Sequence, residues 1–307
     1  MKHEMTRRAA VQSLLLLAAL LCALLASGCQ SKTKHYDLKG QVLDKNPATN
    51  EVTVKHEDIP GFMPAMTMSY PVKDQNGFHQ VEPGDIITAE VVTANNGNQY
   101  WLENVRIIDE SGRKTAKQGT VHRLNIGDHV PDLALVNQDG KSFQLEDFKG
   151  KAVLVTFIYT RCPMPTFCPR LSGQFAKIQD DLSKTPDDFA KTHLVTITFD
   201  PKYDTPPVLR KYGLAYLDND AAGFSHWDFA SSNSGDLRKI ADAFGLEYFE
   251  EDNQISHSMV IVLISPEGTV AKYWSTEWTT AELEEALRRQ AKTAPTSQQP
   301  QKQRRAG

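Results

Sequence analysis

Cysteine is scarce in this chain. There are 4 in 307 residues, and two of them, Cys22 and Cys29, lie at the N-terminus. Only Cys162 and Cys168 remain beyond it. One pair is too few for a disulfide scaffold, and a chain this long buries enough apolar surface not to need one. An excess of positive charge is also missing. The net charge of -4 offers no basic surface for nucleic acid. No internal repeat is visible. The apolar run Leu14 to Ala26 falls short of the ~20 residues that span a bilayer.

That run is instead a targeting segment. Lys2, Arg7 and Arg8 precede it, and it closes on Leu25-Ala26-Ser27-Gly28-Cys29. A basic start, a short apolar core and small residues before a cysteine resemble a bacterial lipobox. Residues 1–28 are expected to be removed and Cys29 to carry lipid, with ordinary signal cleavage as the alternative. Either way the protein is exported to a compartment where disulfides form. The lipid reading places it in the cell envelope, on the periplasmic face, anchored to a membrane. At the other end, residues 293–307 are mostly Gln, Pro, Lys and Arg and read as a disordered tail.

About 270 mature residues suggest two domains. Residues 36–110 read as short strands: Val52 and Val54 alternate with polar residues, as do Ile87, Ala89 and Val91. Asn46 to Asn50, Glu82 to Asp85 and Asn95 to Asn98 are turns. Many short strands in so little chain predict a small closed all-β barrel, because closure removes edge strands. Residues 111–122 read as a linker. From 123 to 292 strands and helices alternate. Ala152 to Tyr159 and Leu194 to Phe199 are continuous apolar runs, as in strands buried on both faces. Leu171, Phe175, Ile178 and Leu182 recur at helical spacing, and so do Leu237, Ile240, Ala241 and Phe244, stopped by Gly245. Ser265 to Gly268 is a hairpin turn, and Thr279 to Glu282 caps a last helix. This order predicts an α/β thioredoxin-like domain.

Cys162-Pro163-Met164-Pro165-Thr166-Phe167-Cys168 lies between the first buried strand and the first helix. A thioredoxin-like fold places a reactive dithiol or a soft-metal site there. A helix N-terminus lowers the pKa of a thiol, so Cys168, just before the helix, is expected to be activated. A structural disulfide is the plain alternative. A redox thioredoxin carries a proline opposite its dithiol. Here the corresponding segment is Ile255-Ser256-His257-Ser258-Met259, with a histidine and no proline. Two thiolates and an imidazole suit Cu(I), and also Cu(II) or Zn(II).

These residues resemble the Sco/SenC family of thioredoxin-fold copper proteins. The resemblance rests on Phe157 to Pro163, Cys168-Pro169, Phe199 to Pro206 and His257-Ser258. It implies Cys162, Cys168 and His257 as copper ligands, with Asp200 beside the site and Asp204 either near it or capping a helix. It also implies a copper-accepting oxidase subunit or another copper protein as partner. The loop departs from the family: five residues separate the cysteines, against the usual three.

The small domain carries a second signal. Met63-Pro64-Ala65-Met66-Thr67-Met68 follows His56. Met66 and Met68 share one face of a strand, and Met63 folds back over them through Pro64. Thioether sulfur is soft, prefers Cu(I) or Ag(I), and survives oxidation that removes thiols. The alternative is that these methionines fill the barrel core. The stretch resembles CusF-type periplasmic copper domains, an OB-like barrel. That resemblance implies His56, Met66 and Met68 as ligands. Met63 stands where the family has a capping tryptophan, so a His–Met₃ set is expected, with Trp101 the one indole available to approach. His35, His79, His122, His129, His193 and His226 show no partner pattern and read as surface or ordinary polar residues. The whole chain reads as an exported copper chaperone. It would deliver copper to a respiratory oxidase centre or maintain that centre's thiols. The alternatives are a thiol–disulfide oxidoreductase acting through Cys162 and Cys168, or a copper-resistance buffer.

Overall fold

A computed structural model describes residues 33–293, apart from 48–49, 95–98, 115–122, 166, 247, 252–253 and 276–277. The expected leader with Cys29, the expected turn at Asn95 to Asn98, His122 and the expected tail from Ala294 lie outside the described residues. Among the described residues no helix is long and apolar enough to cross a membrane.

The first domain is built from β1 (Lys34–Asn46), β2 (Glu51–His56), β3 (Met66–Pro71), the short helix α1 (Gln75–Gln80), β4 (Ile86–Ala94) and β5 (Gln99–Asp109). The strands lie in the order β3-β2-β1-β4-β5, with all neighbours antiparallel. Val72, just past β3, bridges to Leu102 of β5 and closes the sheet into the expected barrel. The alternation read in the sequence holds: Val52, Val54, Ile87 and Val91 are fully buried inside it. Gly84 adopts φ +100°, and a Cβ there would stand 2.4 Å from the carbonyl of Gly112. Only glycine permits this contact. It holds the turn Ser111–Lys114, expected to begin the linker, against the barrel, where Arg113 Nη2 donates to Asp85 at 2.8 Å.

The second domain contains β6 (Leu135–Asn137), β7 (Ser142–Phe143), β8 (Ala152–Ile158), α2 (Cys168–Ser183), α3 (Pro186–Ala190), β9 (Thr192–Thr198), α4 (Pro206–Tyr216), β10 (Trp227–Ser231), α5 (Ser234–Phe244), β11 (Tyr248–Glu251), β12 (Gln254–His257), β13 (Ile261–Ile264), β14 (Val270–Trp274) and α6 (Thr280–Ala291). Its sheet runs β14-β13-β8-β9-β10-β6-β7. The parallel strands β8, β9 and β10 occupy the centre, and every residue of β8 and β9 is buried. The apolar stripe of α2 (Leu171, Phe175, Ile178 and Leu182) lies in the core, each side chain contributing roughly 1.5–3 kcal/mol. Asn233 caps α5 at its start, and Gly245 ends it in the left-handed region. The hydroxyl of Thr279 accepts from the Glu282 amide, the expected cap of α6. Several short elements escaped the sequence reading (α1, β6, β7, α3 and β10), and so did the separate hairpin β11–β12, which ends in His257.

Two of the histidines without a partner pattern are not at the surface but are buried polar residues. His193 and His226 are 3% and 1% exposed, at the N-terminal ends of β9 and β10 and so away from the cysteine loop. His193 Nε2 meets Asp228 Oδ2 at 2.8 Å, and His226 Nε2 meets the Thr192 hydroxyl at 3.0 Å. Their rings stack on Phe148 and Phe189. Burial pushes His226 down to about 3, with the nearby His193 and Lys151 charges adding to it. The unfolded chain binds this proton near pH 6.5, whereas the folded chain does not. Stability is therefore complete above pH 6.5 and falls as pH drops toward 3, by up to ~1.4 kcal/mol per pH unit. Urea midpoints measured between pH 7 and 5 should decline in the parent and decline less in His226→Phe. Equal slopes would remove this histidine from the acid response.

Candidate metal centres

The cysteine site forms at the C-terminal ends of β8 and β9. Cys162 lies on the loop after β8, and Cys168 is the first residue of α2. His257 ends β12 and reaches the same point from 89 residues away. Cys168 Sγ lies 3.9 Å from His257 Nε2, and one ligand atom from each of the three residues falls within 4.8 Å of the others. Among the described residues this is the one such cluster of three His, Cys, Asp or Glu side chains.

The imidazole is held in place. His257 Nδ1 lies 2.9 Å from the Ser258 carbonyl, which can only accept, so Nδ1 carries the proton and Nε2 presents its lone pair to the thiols. Phe199 packs against the ring at 4.5 Å, and Tyr159 meets it edge-on at 5.8 Å.

The two thiols differ, and not as the helix argument anticipates. Cys168 is fully buried, and desolvation pushes its thiol well up, outweighing the helix N-terminus. Cys162 is half-buried and goes down, chiefly because its sulfur accepts a hydrogen bond from Cys168. Cys162 is therefore the reactive sulfur. Iodoacetamide at pH 7 should label Cys162 more than ~10-fold faster than Cys168, since rate follows thiolate and access. Peptide mapping reads the ratio, and equal labelling would contradict the asymmetry.

The acidic residues settle differently. Asp200 accepts from Arg161 Nε at 2.8 Å, which braces the residue before Cys162. Asp204 does not cap α4. Its fully buried carboxylate takes the Thr160 amide at 3.0 Å and the hydroxyls of Thr160 and Thr198. It thereby ties the ends of β8 and β9 together beneath the cysteine loop. Threonine at the end of both apolar strands was the available signal.

In the barrel, His56 pairs in register with Met66, and Val54 with Met68. These residues face inward with Tyr70, while Thr53, Thr67 and Ser69 face outward. His56 Nδ1 lies 2.7 Å from the Glu57 carbonyl, so it carries the proton. Its Nε2 is buried and has no partner. Burial lowers the His56 pKa, which keeps the ring neutral and that lone pair available. Such an orphaned nitrogen costs roughly 1–3 kcal/mol, and a soft ion held with Met66 and Met68 would satisfy it. Met63 is buried too, and its sulfur accepts from the Tyr70 hydroxyl at 3.7 Å, leaving a second lone pair. Trp101 does not approach. It lies on the opposite face of β5 from Tyr100, under Lys73, whose Nζ is 3.2 Å from the ring centre. The ring nearest His56 is Tyr70, edge-on at 5.9 Å.

Comparison with known proteins places both units. The family model for SCO1/SenC matches residues 125–292, and that for the copper-binding periplasmic protein CusF matches 35–101. The SCO1 protein homolog of Bacillus subtilis (strain 168) is 30% identical over 150 residues, spanning 47% of this chain and 72% of that protein. The SCO2-like protein of Rickettsia felis is 28% identical over 164 residues, spanning 51% and 74%. The crystal structure of a SCO1/SenC family lipoprotein from Bacillus anthracis str. Ames aligns with 55% of this chain and 98% of its own, at 26% identity and a TM-score of 0.47. Copper is the metal of both matched families, and the two donor sets found here fit it. With more than half its length matched and the Cys162, Cys168 and His257 cluster inside the match, the chain belongs to the SCO1/SenC family and carries a CusF-like domain ahead of it.

Proposed function

We propose that this protein is an exported copper chaperone with two soft-metal sites on one chain. Cys162, Cys168 and His257 hold one ion, and His56, Met66 and Met68, with Met63 as a further donor, hold the other. Cys29 carries the lipid that anchors the protein in the envelope, and the acceptor is the copper centre of a respiratory oxidase. The observation that carries this reading is the cluster of half-buried Cys162 with buried Cys168 and His257, whose ligand atoms lie within 4.8 Å of one another. Copper needs the thiols deprotonated and the imidazole neutral, and the Ser258 carbonyl fixes the tautomer that leaves Nε2 free. Anaerobic Cu(I) titration of the reduced chain from Gln30, which retains every described residue, tests it. Binding of a second equivalent supports both sites, and a single equivalent removes one.

A dithiol oxidoreductase is the second reading. The pairing of an accessible, activated Cys162 with a buried Cys168 of raised pKa favours it, because attacking and resolving thiols have this asymmetry. His257→Ala separates the two. An oxidoreductase keeps most of its disulfide exchange, whereas a chaperone loses copper affinity.

A further inference from the structure

The outer face of a small barrel is ordinarily solvated. Here part of it is not. Glu51, Thr53 and Thr67 point outward from β2 and β3, yet they are 7%, 6% and 3% exposed. The second domain covers them. β12 packs against β3, and the Ser275 hydroxyl donates to the Glu51 carboxylate across 224 residues of sequence. The Arg170 guanidinium, two residues past Cys168, lies within electrostatic reach of the buried Tyr100 hydroxyl. Tyr100 meets Tyr70 at 5.7 Å, and Tyr70 meets His56 at 5.9 Å.

The two strands in contact both carry metal donors: β12 ends in His257, and β3 bears Met66 and Met68 on its inward face. Each site also has one donor near the surface and the others buried. Met66 is half-buried above buried His56 and Met68, and Cys162 is half-buried above buried Cys168 and His257.

We propose that the two domains are docked through their metal-bearing elements so that Cu(I) passes from the barrel to the cysteine site within one molecule, leaving by Met66 and arriving at Cys162. The proposal rests on the two-site reading above. Direction follows from donor strength: thiolates hold Cu(I) more tightly than thioethers, so copper moves toward the cysteines whenever they are reduced. The bonds from copper to thioether sulfur and to His56 Nε2 break, and bonds to thiolate sulfur and His257 Nε2 form. Copper stays monovalent, and the displaced thiol proton goes to solvent. The barrel is then a store that an oxidised cysteine pair cannot drain.

The test starts from the chain from Gln30 with Cys162 and Cys168 joined as a disulfide and one equivalent of Cu(I) added. A phosphine then reduces the disulfide, becoming its oxide with oxygen from water, whose two protons complete the thiols. Stopped-flow absorbance follows the copper–thiolate band. The rate should be independent of protein concentration. Glu51→Arg and, on the other side of the contact, Ser275→Asp should each slow it at least ~10-fold with both copper affinities unchanged, because only the linker then brings the sites together. An unchanged rate in both variants, or a rate proportional to concentration in the parent, overturns the route alone. Oxidised protein that binds no copper overturns the two-site reading and the route together.

Discussion

Cys168→Ser binds one equivalent of Cu(I) less than the parent, with affinity at the cysteine site reduced by more than the ~10–100-fold that loss of an outer-shell partner costs. The reason is the burial of Cys168. No solvent or neighbouring side chain can replace the missing sulfur, and a serine hydroxyl is a hard donor that stays protonated at neutral pH. His257 Nε2 and Cys162 remain, but their third contact is gone. The fold survives, since burying a hydroxyl costs only ~1–3 kcal/mol. Cys168→Ala serves as the control: it removes the same donor without the buried hydroxyl, so the two variants should lose copper alike and differ in stability. Competition titration against a chromophoric chelator gives the affinities. Undiminished binding in either variant would mean the cluster is not a copper site, and the oxidoreductase reading would lead.

His56→Leu has two effects of opposite sign. Without copper the variant is more stable than the parent by about 1 kcal/mol, because leucine replaces a buried nitrogen that has no partner. The Glu57 carbonyl loses its donor but sits on an exposed residue that water reaches. With Cu(I) in excess the order reverses, since the parent gains about 2.7 kcal/mol at a hundredfold excess over Kd and the variant's barrel gains nothing. Denaturant unfolding with and without Cu(I) measures both halves. A variant less stable than the parent without copper would mean that His56 Nε2 is satisfied in solution and is not held open for a ligand.

Both predictions use a feature that recurs in the two centres. In each, the histidine gives its Nδ1 proton to the backbone carbonyl of the following residue: Glu57 in the barrel and Ser258 beside the cysteines. Each Nε2 is thereby left as the metal-facing atom. The two domains differ in fold and in every other donor, so the shared device reflects what a neutral imidazole ligand needs.

Local periodicity was enough to place much of this protein. The seven-residue apolar run of β8 and the stripe of α2 bracket the cysteine loop, and Met66 and Met68 share a face because a strand repeats every two residues. The expected leader and the proposed lipidation of Cys29 likewise rest on consecutive residues. Tertiary structure decided what depends on closure. His257 reaches Cys168 through a hairpin that no strong pattern announces, since β12 is four residues long. Desolvation, a property of the surrounding fold, reversed the expected order of the two thiols. His193 and His226 went inside because aromatic rings and an aspartate from other elements received them. Burial of Glu51 and Thr67 required a second domain to cover them. A pattern along the chain reports which way a side chain points, but only the assembled chain determines what meets it there.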